Sequence, residues 1–99
     1  MSFTQLLSLL DEIWEFVAAD SLDAADRVLQ EVYAAILSAV SFPRSGRLRT
    51  ELTSRPLRFH VARDFLVAYA PEEDPVVVVA IIHGRRNPRV IAAMLRERK

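Results

Sequence analysis

The chain has 99 residues, of which 52% are apolar and 26% charged, and it contains no cysteine. This length and composition suit one globular domain over residues 1–99, and the lack of cysteine excludes disulfides, thiolate zinc sites and a cysteine nucleophile. No apolar stretch reaches the roughly 20 residues of a membrane-spanning helix, and acidic residues interrupt the N-terminal apolar stretch before it resembles a signal peptide. We therefore expect a cytoplasmic protein with no membrane contact.

The net charge of zero conceals a segregation of charge along the chain. Residues 1–40 carry seven acidic residues and one arginine, whereas residues 41–70 carry six arginines and two acids. Residues 83–99 are again basic, with six basic residues and one acid. Twelve of the thirteen basic residues are arginine, the side chain suited to forked recognition of phosphate or carboxylate, although genomic base composition explains such a preference equally well. We expect a bipolar molecule.

Two amphipathic helices are predicted in the first 42 residues. Apolar residues recur at helical spacing from residue 3 to 18, and again from residue 25 to 40, between a cap at Ser21 or Asp23 and a stop at Phe42-Pro43. The short connection predicts an antiparallel hairpin.

Three strands and a short helix are predicted in the remainder, after an arginine-rich loop over residues 43–56. Residues 57–61 alternate apolar and polar, Arg63-Asp64 is a turn signal, and residues 65–69 return as a second strand. The uninterrupted apolar run of residues 76–82 predicts a strand buried on both faces, which we interpret as the central strand. Asn87-Pro88 then predicts the start of a C-terminal helix.

The order of these elements predicts an α+β fold, with an N-terminal αα-hairpin packed on a three-stranded antiparallel meander and a short C-terminal helix. One face of the strand over residues 76–82 belongs to the hairpin, and its other face needs the C-terminal helix or a second protein.

The motifs of common cofactor sites do not occur in this sequence. With Gly46 and Gly84 as its only glycines, the chain has no phosphate-binding loop, so we expect no nucleotide cofactor. His60 and His83 are the only histidines and neither has a partner at metal-ligand spacing, so we expect no metal site.

The meander brings a set of polar side chains toward one side or rim of the sheet. Such a set suits binding of phosphate or of an acidic protein surface, and it equally suits acid–base catalysis on a phosphate by histidine. The alternative is that these residues are scattered, solvent-facing positions. The candidates are Arg58, His60, Arg63, Tyr69, His83, Arg85 and Arg86.

An ordered series of segments resembles the RelE/ParE superfamily of toxins from type II toxin–antitoxin modules, and its ParE-like branch in particular. The matching segments are residues 11–18, 24–27, 42–47, 57–61, 65–69 and 81–86. The ending His83-Gly84-Arg85-Arg86 resembles ParE-like members more, and the closely placed lysines of RelE-like members have no counterpart, because Lys99 is the only lysine.

The resemblance implies a toxin that inhibits growth, by action on DNA gyrase in ParE-like members, and that a cognate antitoxin neutralises in dimeric or heterotetrameric assemblies. A homodimer is a further possibility. The residues that we expect to bind the target are Arg58, Arg63, His83, Arg85 and Arg86. The residues that we expect to contact the antitoxin are Tyr69, Val77, Val79, Ile81 and Trp14, although hairpin packing is the simpler role for Trp14.

Two other functions stay open. The first is a RelE-like, ribosome-dependent endonuclease of messenger RNA, whose catalytic residues would be His83, His60, Arg58, Arg63 and Arg85. The second is a degenerate toxin that only binds its antitoxin and regulates the operon.

The chain departs from the superfamily at its N-terminus. Members open with a short strand before the first helix, but here Phe3 already belongs to the helical register. We expect either that the true start lies upstream or that the sheet has three strands and an exposed edge. Such an edge could pair with an antitoxin strand or with another copy of the chain, and a weakened toxin is a further possibility for a chain without the opening strand.

Overall fold

The computed structural model describes residues 2–97 and confirms the predicted α+β fold. In chain order the elements are α1 Phe3–Ala18, α2 Leu22–Ser41, β1 Arg58–Ala62, β2 Phe65–Ala70, β3 Val77–His83 and α3 Pro88–Glu97.

The helical hairpin is defined by side-chain caps and one cross-link. Ser2 caps α1 in a reciprocal capping box with Gln5, and Ser21 caps α2, which decides between the two predicted caps. The indole Nε1 of Trp14 donates a hydrogen bond to Asp26 Oδ1 at 3.0 Å. This bond links the two helices and sets their relative position, in agreement with the hairpin role considered for Trp14.

The three strands form an antiparallel meander in the order β1-β2-β3. The register pairs Arg58 with Tyr69 and places His60, Val67 and Ile81 in one row across the sheet. The prediction that the apolar run forms the central strand is wrong: β2 is central and β3 lies at the edge. The run is apolar because helices cover both of its faces, and not because strands lie on both sides of it.

The sheet separates two hydrophobic clusters, one on each face. The hairpin covers one face, on which the buried residues include Leu10, Ile13, Val28, Val32, Val67 and Ile81. The C-terminal helix covers the other, on which they include Leu57, Phe59, Leu66, Ile82, Ile91 and Leu95. The C-terminal helix therefore supplies the cover that the sequence required for the second face of β3.

The edge of β3 has no strand partner within residues 2–97, which agrees with the predicted three-stranded sheet. Residues 78–82 keep between 0 and 8% of their surface exposed, because their side chains belong to the hydrophobic clusters on the two faces of the sheet. The backbone groups on the outer side of β3 are therefore without a strand partner, and an unpaired edge of this kind can accept a further strand.

The outer edge of β1 is partly paired by the preceding loop. Arg47 exchanges two backbone hydrogen bonds with Phe59, at 2.9 and 2.8 Å, as an isolated bridge. Val61, two residues along the same edge, keeps 66% of its surface exposed.

Within residues 2–97 no helix has the length and apolarity needed to cross a membrane.

Candidate functional site

The predicted polar residues do not form one cluster. Arg58 and His60 lie on β1, whereas His83 ends β3. The central strand β2 lies between β1 and β3, so these two strands are about 10 Å apart, twice the spacing of neighbouring strands. Arg58, His60 and Tyr69 form one group, the β1 cluster. His83, Arg85 and Arg86 form a second group, the β3 exit, at the opposite side of the sheet.

His60 is held by the loop that follows α2. Its ring stacks on Tyr69, with centroids 5.7 Å apart and planes inclined by 8°, and its Nε2 lies 3.0 Å from Ser45 Oγ. The Ser45 hydroxyl also lies 2.6 Å from the carbonyl oxygen of Phe42, to which it can donate its hydrogen. When it does so, it accepts the hydrogen of the histidine Nε2–H, and His60 then holds the loop through Ser45.

Tyr69 and Arg58 fasten the same loop to the sheet. The Tyr69 hydroxyl is fully buried, donates to the carbonyl oxygen of Pro43 at 2.7 Å and accepts from the N–H of Gly46 at 2.9 Å. Arg58 Nη1 donates to the carbonyl oxygen of Gly46 at 2.7 Å. The β1 cluster therefore positions the loop that follows α2. The guanidinium group of Arg58 already has a hydrogen-bond partner in this loop.

Sequence reasoning assigned no role to Ser45 and Gly46 in this cluster. A Cβ built on Gly46 would lie 2.4 Å from the Tyr69 hydroxyl, so only glycine fits at this distance. A single glycine in an arginine-rich loop was the available sequence signal for a close contact at Gly46. The sequence did not show that Tyr69 makes this contact, because its position depends on the register of the sheet.

The turn between β1 and β2 is tied to both neighbouring layers. Arg63 adopts a positive φ of 53° and pairs with Glu31 on α2. Asp64 receives Arg85 Nη2 at 3.5 Å, and its carbonyl oxygen accepts from the N–H of Gly84 at 2.6 Å. Two predicted target-binding arginines, Arg63 and Arg85, thus have acidic partners in the chain, but both pairs are exposed and exchange readily with solvent.

The β3 exit borders an apolar groove. His83 meets the ring of Phe65 edge-on at 5.2 Å, and its Nδ1 accepts the N–H of Arg85 at 3.2 Å, which leaves Nε2 to carry the proton of the neutral ring. Arg86 is exposed and has no side-chain hydrogen bond or ion pair with residues 2–97. The groove has a volume of about 450 Å³. Its lining residues include Leu9, Phe16, Ile81, Arg85, Arg86 and Met94.

The five predicted antitoxin contacts differ in accessibility. Tyr69, Val79 and Ile81 are buried within the chain at 0, 4 and 7% exposure, so their side chains offer little surface to a partner in this conformation. Val77 and Trp14 are partly exposed.

Residues 2–97 contain no group of three or more His, Cys, Asp or Glu side chains placed to hold a metal ion.

The architecture and the basic strand ends together define the class of this protein. A helical hairpin on a three-stranded antiparallel meander, with a short C-terminal helix, is the α+β arrangement expected of the RelE/ParE superfamily without its opening strand. The chain matches the family model of the ParE toxin of the type II toxin–antitoxin system, parDE, over residues 5–88. The chain therefore belongs to the ParE toxin family. A comparison with curated proteins finds no match.

Proposed function

We propose that this chain inhibits growth by binding DNA gyrase and that a cognate antitoxin neutralises it. Membership of the ParE toxin family carries this proposal, since it assigns the chain to the toxins of type II toxin–antitoxin systems. The placement of the candidate nuclease residues supports inhibition by binding: His60 and His83 lie at opposite sides of the sheet, and Arg58, Arg63 and Arg85 each have a partner in the chain. A phosphate-cleaving centre needs such groups to converge on one reacting atom.

The β3 exit is the surface that we propose for the target. Arg85 and Arg86 are exposed and both line the apolar groove, so two guanidinium groups lie at its border. Apolar surface with cationic side chains at its rim is suited to an acidic protein surface, with the charges guiding encounter and the apolar side chains supplying burial.

Induction of the chain without an antitoxin tests this function. We expect growth arrest and, with purified protein, loss of gyrase-catalysed supercoiling of relaxed plasmid. Arg86→Glu should weaken inhibition by about tenfold or more, because it reverses a charge at the proposed contact. Arg27→Glu is the matched control, since Arg27 is also an exposed arginine but lies on α2, in the acidic N-terminal part of the chain, and does not line the groove.

Two outcomes would contradict the gyrase proposal. Growth arrest with unaffected supercoiling and ribosome-dependent cuts in messenger RNA, lost in His83→Ala, would establish an endonuclease. Absence of both arrest and supercoiling inhibition, with antitoxin binding retained, would establish a protein that acts only as an antitoxin-binding partner.

A further inference from the structure

The segment from β3 to the last turn of α3 carries positive charge only. Residues 75–96 contain four arginines and no acidic residue. One of the four, Arg85, is paired with Asp64. The other three are exposed and make no ion pair or side-chain hydrogen bond within the part of the chain that the structure describes. These three are Arg86, Arg89 and Arg96, which we call the α3 row.

Two members of the α3 row lie on the same outer side of the helix. Arg89 and Arg96 are seven residues apart, which is two turns and about 10 Å along the helix axis. Ile91 and Leu95 are buried against the sheet and define the inner side of α3. Helical spacing therefore directs Arg89 and Arg96 away from the sheet and toward solvent.

The outer side of α3 has cations but lacks an apolar anchor. Val90 is the large exposed apolar residue among the described residues of α3, and it lies one turn before Met94, which lines the groove. A protein partner needs an anchoring apolar contact, and a helix that lies on a lipid surface needs an apolar face to insert. A row of phosphates needs only the cations, so it is the partner that this side of α3 fits best.

We propose that the α3 row binds the phosphate backbone of duplex nucleic acid. Arginine forks match phosphate oxygens in pairs, and a duplex carries one negative charge per roughly 1.7 Å of its axis. The separation of Arg89 and Arg96 therefore spans about six phosphates, counted over both strands. Because the contacts are to the backbone, binding is independent of base sequence. The proposal depends on the charges of α3 and not on the gyrase function.

The acidic hairpin does not cancel this positive surface. It covers the opposite face of the sheet, so the two helical layers are on the order of 20 Å apart. Exposed charges are largely screened beyond about 10 Å at 0.1 M salt. Among the hairpin acids, Glu12 lines the groove together with Arg86, so Arg89 and Arg96 should contribute more than Arg86. A net charge of zero is therefore compatible with binding of a polyanion.

Fluorescence anisotropy with a labelled DNA duplex of about 20 base pairs tests the proposal. We expect a Kd on the order of 10 µM at about 50 mM salt. The logarithm of the association constant should fall with the logarithm of salt concentration with a slope of about −2.7, as for three phosphate contacts.

Alanine variants of the row identify the contacts. Arg89→Ala and Arg96→Ala should each weaken binding by about threefold and reduce the slope by about one, because each removes one phosphate contact. Alanine favours the helix, and circular dichroism verifies folding. Arg27→Ala is the matched control, since Arg27 is an exposed arginine on α2, and it should leave both the Kd and the slope unchanged.

An RNA duplex of the same sequence distinguishes the two sources of this phosphate chemistry. Tighter binding of either duplex assigns that nucleic acid, and equal binding assigns the shared backbone charge, so each of these results supports the proposal.

Three results would overturn the proposal. The first is no binding of either duplex at about 200 µM chain in about 50 mM salt. The second is equal weakening by Arg27→Ala and Arg89→Ala. The third is binding of poly-glutamate as tight as that of the duplexes, which would assign the row to an acidic protein surface. Gyrase is absent from these measurements, so their outcome is separate from the supercoiling test.

Discussion

Gly46 and Tyr69 show how one close contact joins the loop after α2 to the sheet. The Tyr69 hydroxyl uses its hydrogen on Pro43 and accepts the N–H of Gly46, so the loop backbone is satisfied by a fully buried side chain. A buried hydroxyl with both interactions made contributes to stability, whereas a displaced one leaves several polar groups without partners.

Gly46→Ala should lower the free energy of unfolding by about 2 kcal/mol, because the added Cβ displaces the Tyr69 hydroxyl and breaks its hydrogen bonds. Urea unfolding measures this loss. Gly84→Ala is the matched control: the nearest atom to its added Cβ, the carbonyl oxygen of Asp64, lies at 3.2 Å, so a smaller loss is expected. Equal losses in the two variants would mean that the contact with Tyr69 is not limiting.

The hairpin depends on caps at the scale of the element. The hydroxyl of Ser21 accepts the N–H of Ala24 at 3.2 Å and satisfies one of the free donors at the start of α2. Asp23 adds a favourable charge in the first turn. The cap also ends the connection from α1, so the start of α2 is well defined.

Ser21→Ala should therefore lower the free energy of unfolding by about 1 kcal/mol, through loss of the cap. The matched control is Ser41→Ala at the other end of the same helix, where the serine is exposed and does not cap the helix start. Thermal unfolding of both variants measures the difference. If Ser41→Ala were the more destabilising change, capping at Ser21 would not explain the stability of α2.

At the scale of the whole molecule, α3 is a structural layer and not an appendage. Ile91 and Leu95 are 2 and 0% exposed and belong to the cluster on the second face of the sheet. Arg55 Nη1 donates to the carbonyl oxygen of Leu95 at 2.6 Å and joins the long loop to the end of this helix. Without α3, the apolar second face of β3 would be exposed to water.

Leu95→Ala should lower the free energy of unfolding by about 2–4 kcal/mol, because it removes a fully buried side chain from this layer. Val90→Ala is the control, since Val90 lies on the same helix and is 44% exposed. Urea titration followed by tryptophan fluorescence, with Trp14 as the single tryptophan, reports both. A loss below about 1 kcal/mol for Leu95→Ala would mean that the layer does not contribute to the cooperative unit.

The sequence by itself determined the features that depend on neighbours along the chain. Helical spacing predicted α1 over residues 3–18, which are its observed bounds, and Pro43 marked the end of α2 within two residues. The strands are displaced by about one residue, since alternation identifies a strand better than its ends. These signals are local because caps, prolines and side-chain periodicity act within one or two turns.

Only the tertiary structure decided which of those features meet. An apolar run records burial but not its source, so strand order was needed to place β3 at the edge between two helical layers. His60 and His83 read as one site along the chain, yet the central strand separates them, and each is engaged by its own surroundings. Tyr33, Leu37 and Val40 are exposed because the hairpin buries one side of α2 and leaves the other uncovered. Such relations depend on through-space packing between distant residues, which local sequence patterns do not encode.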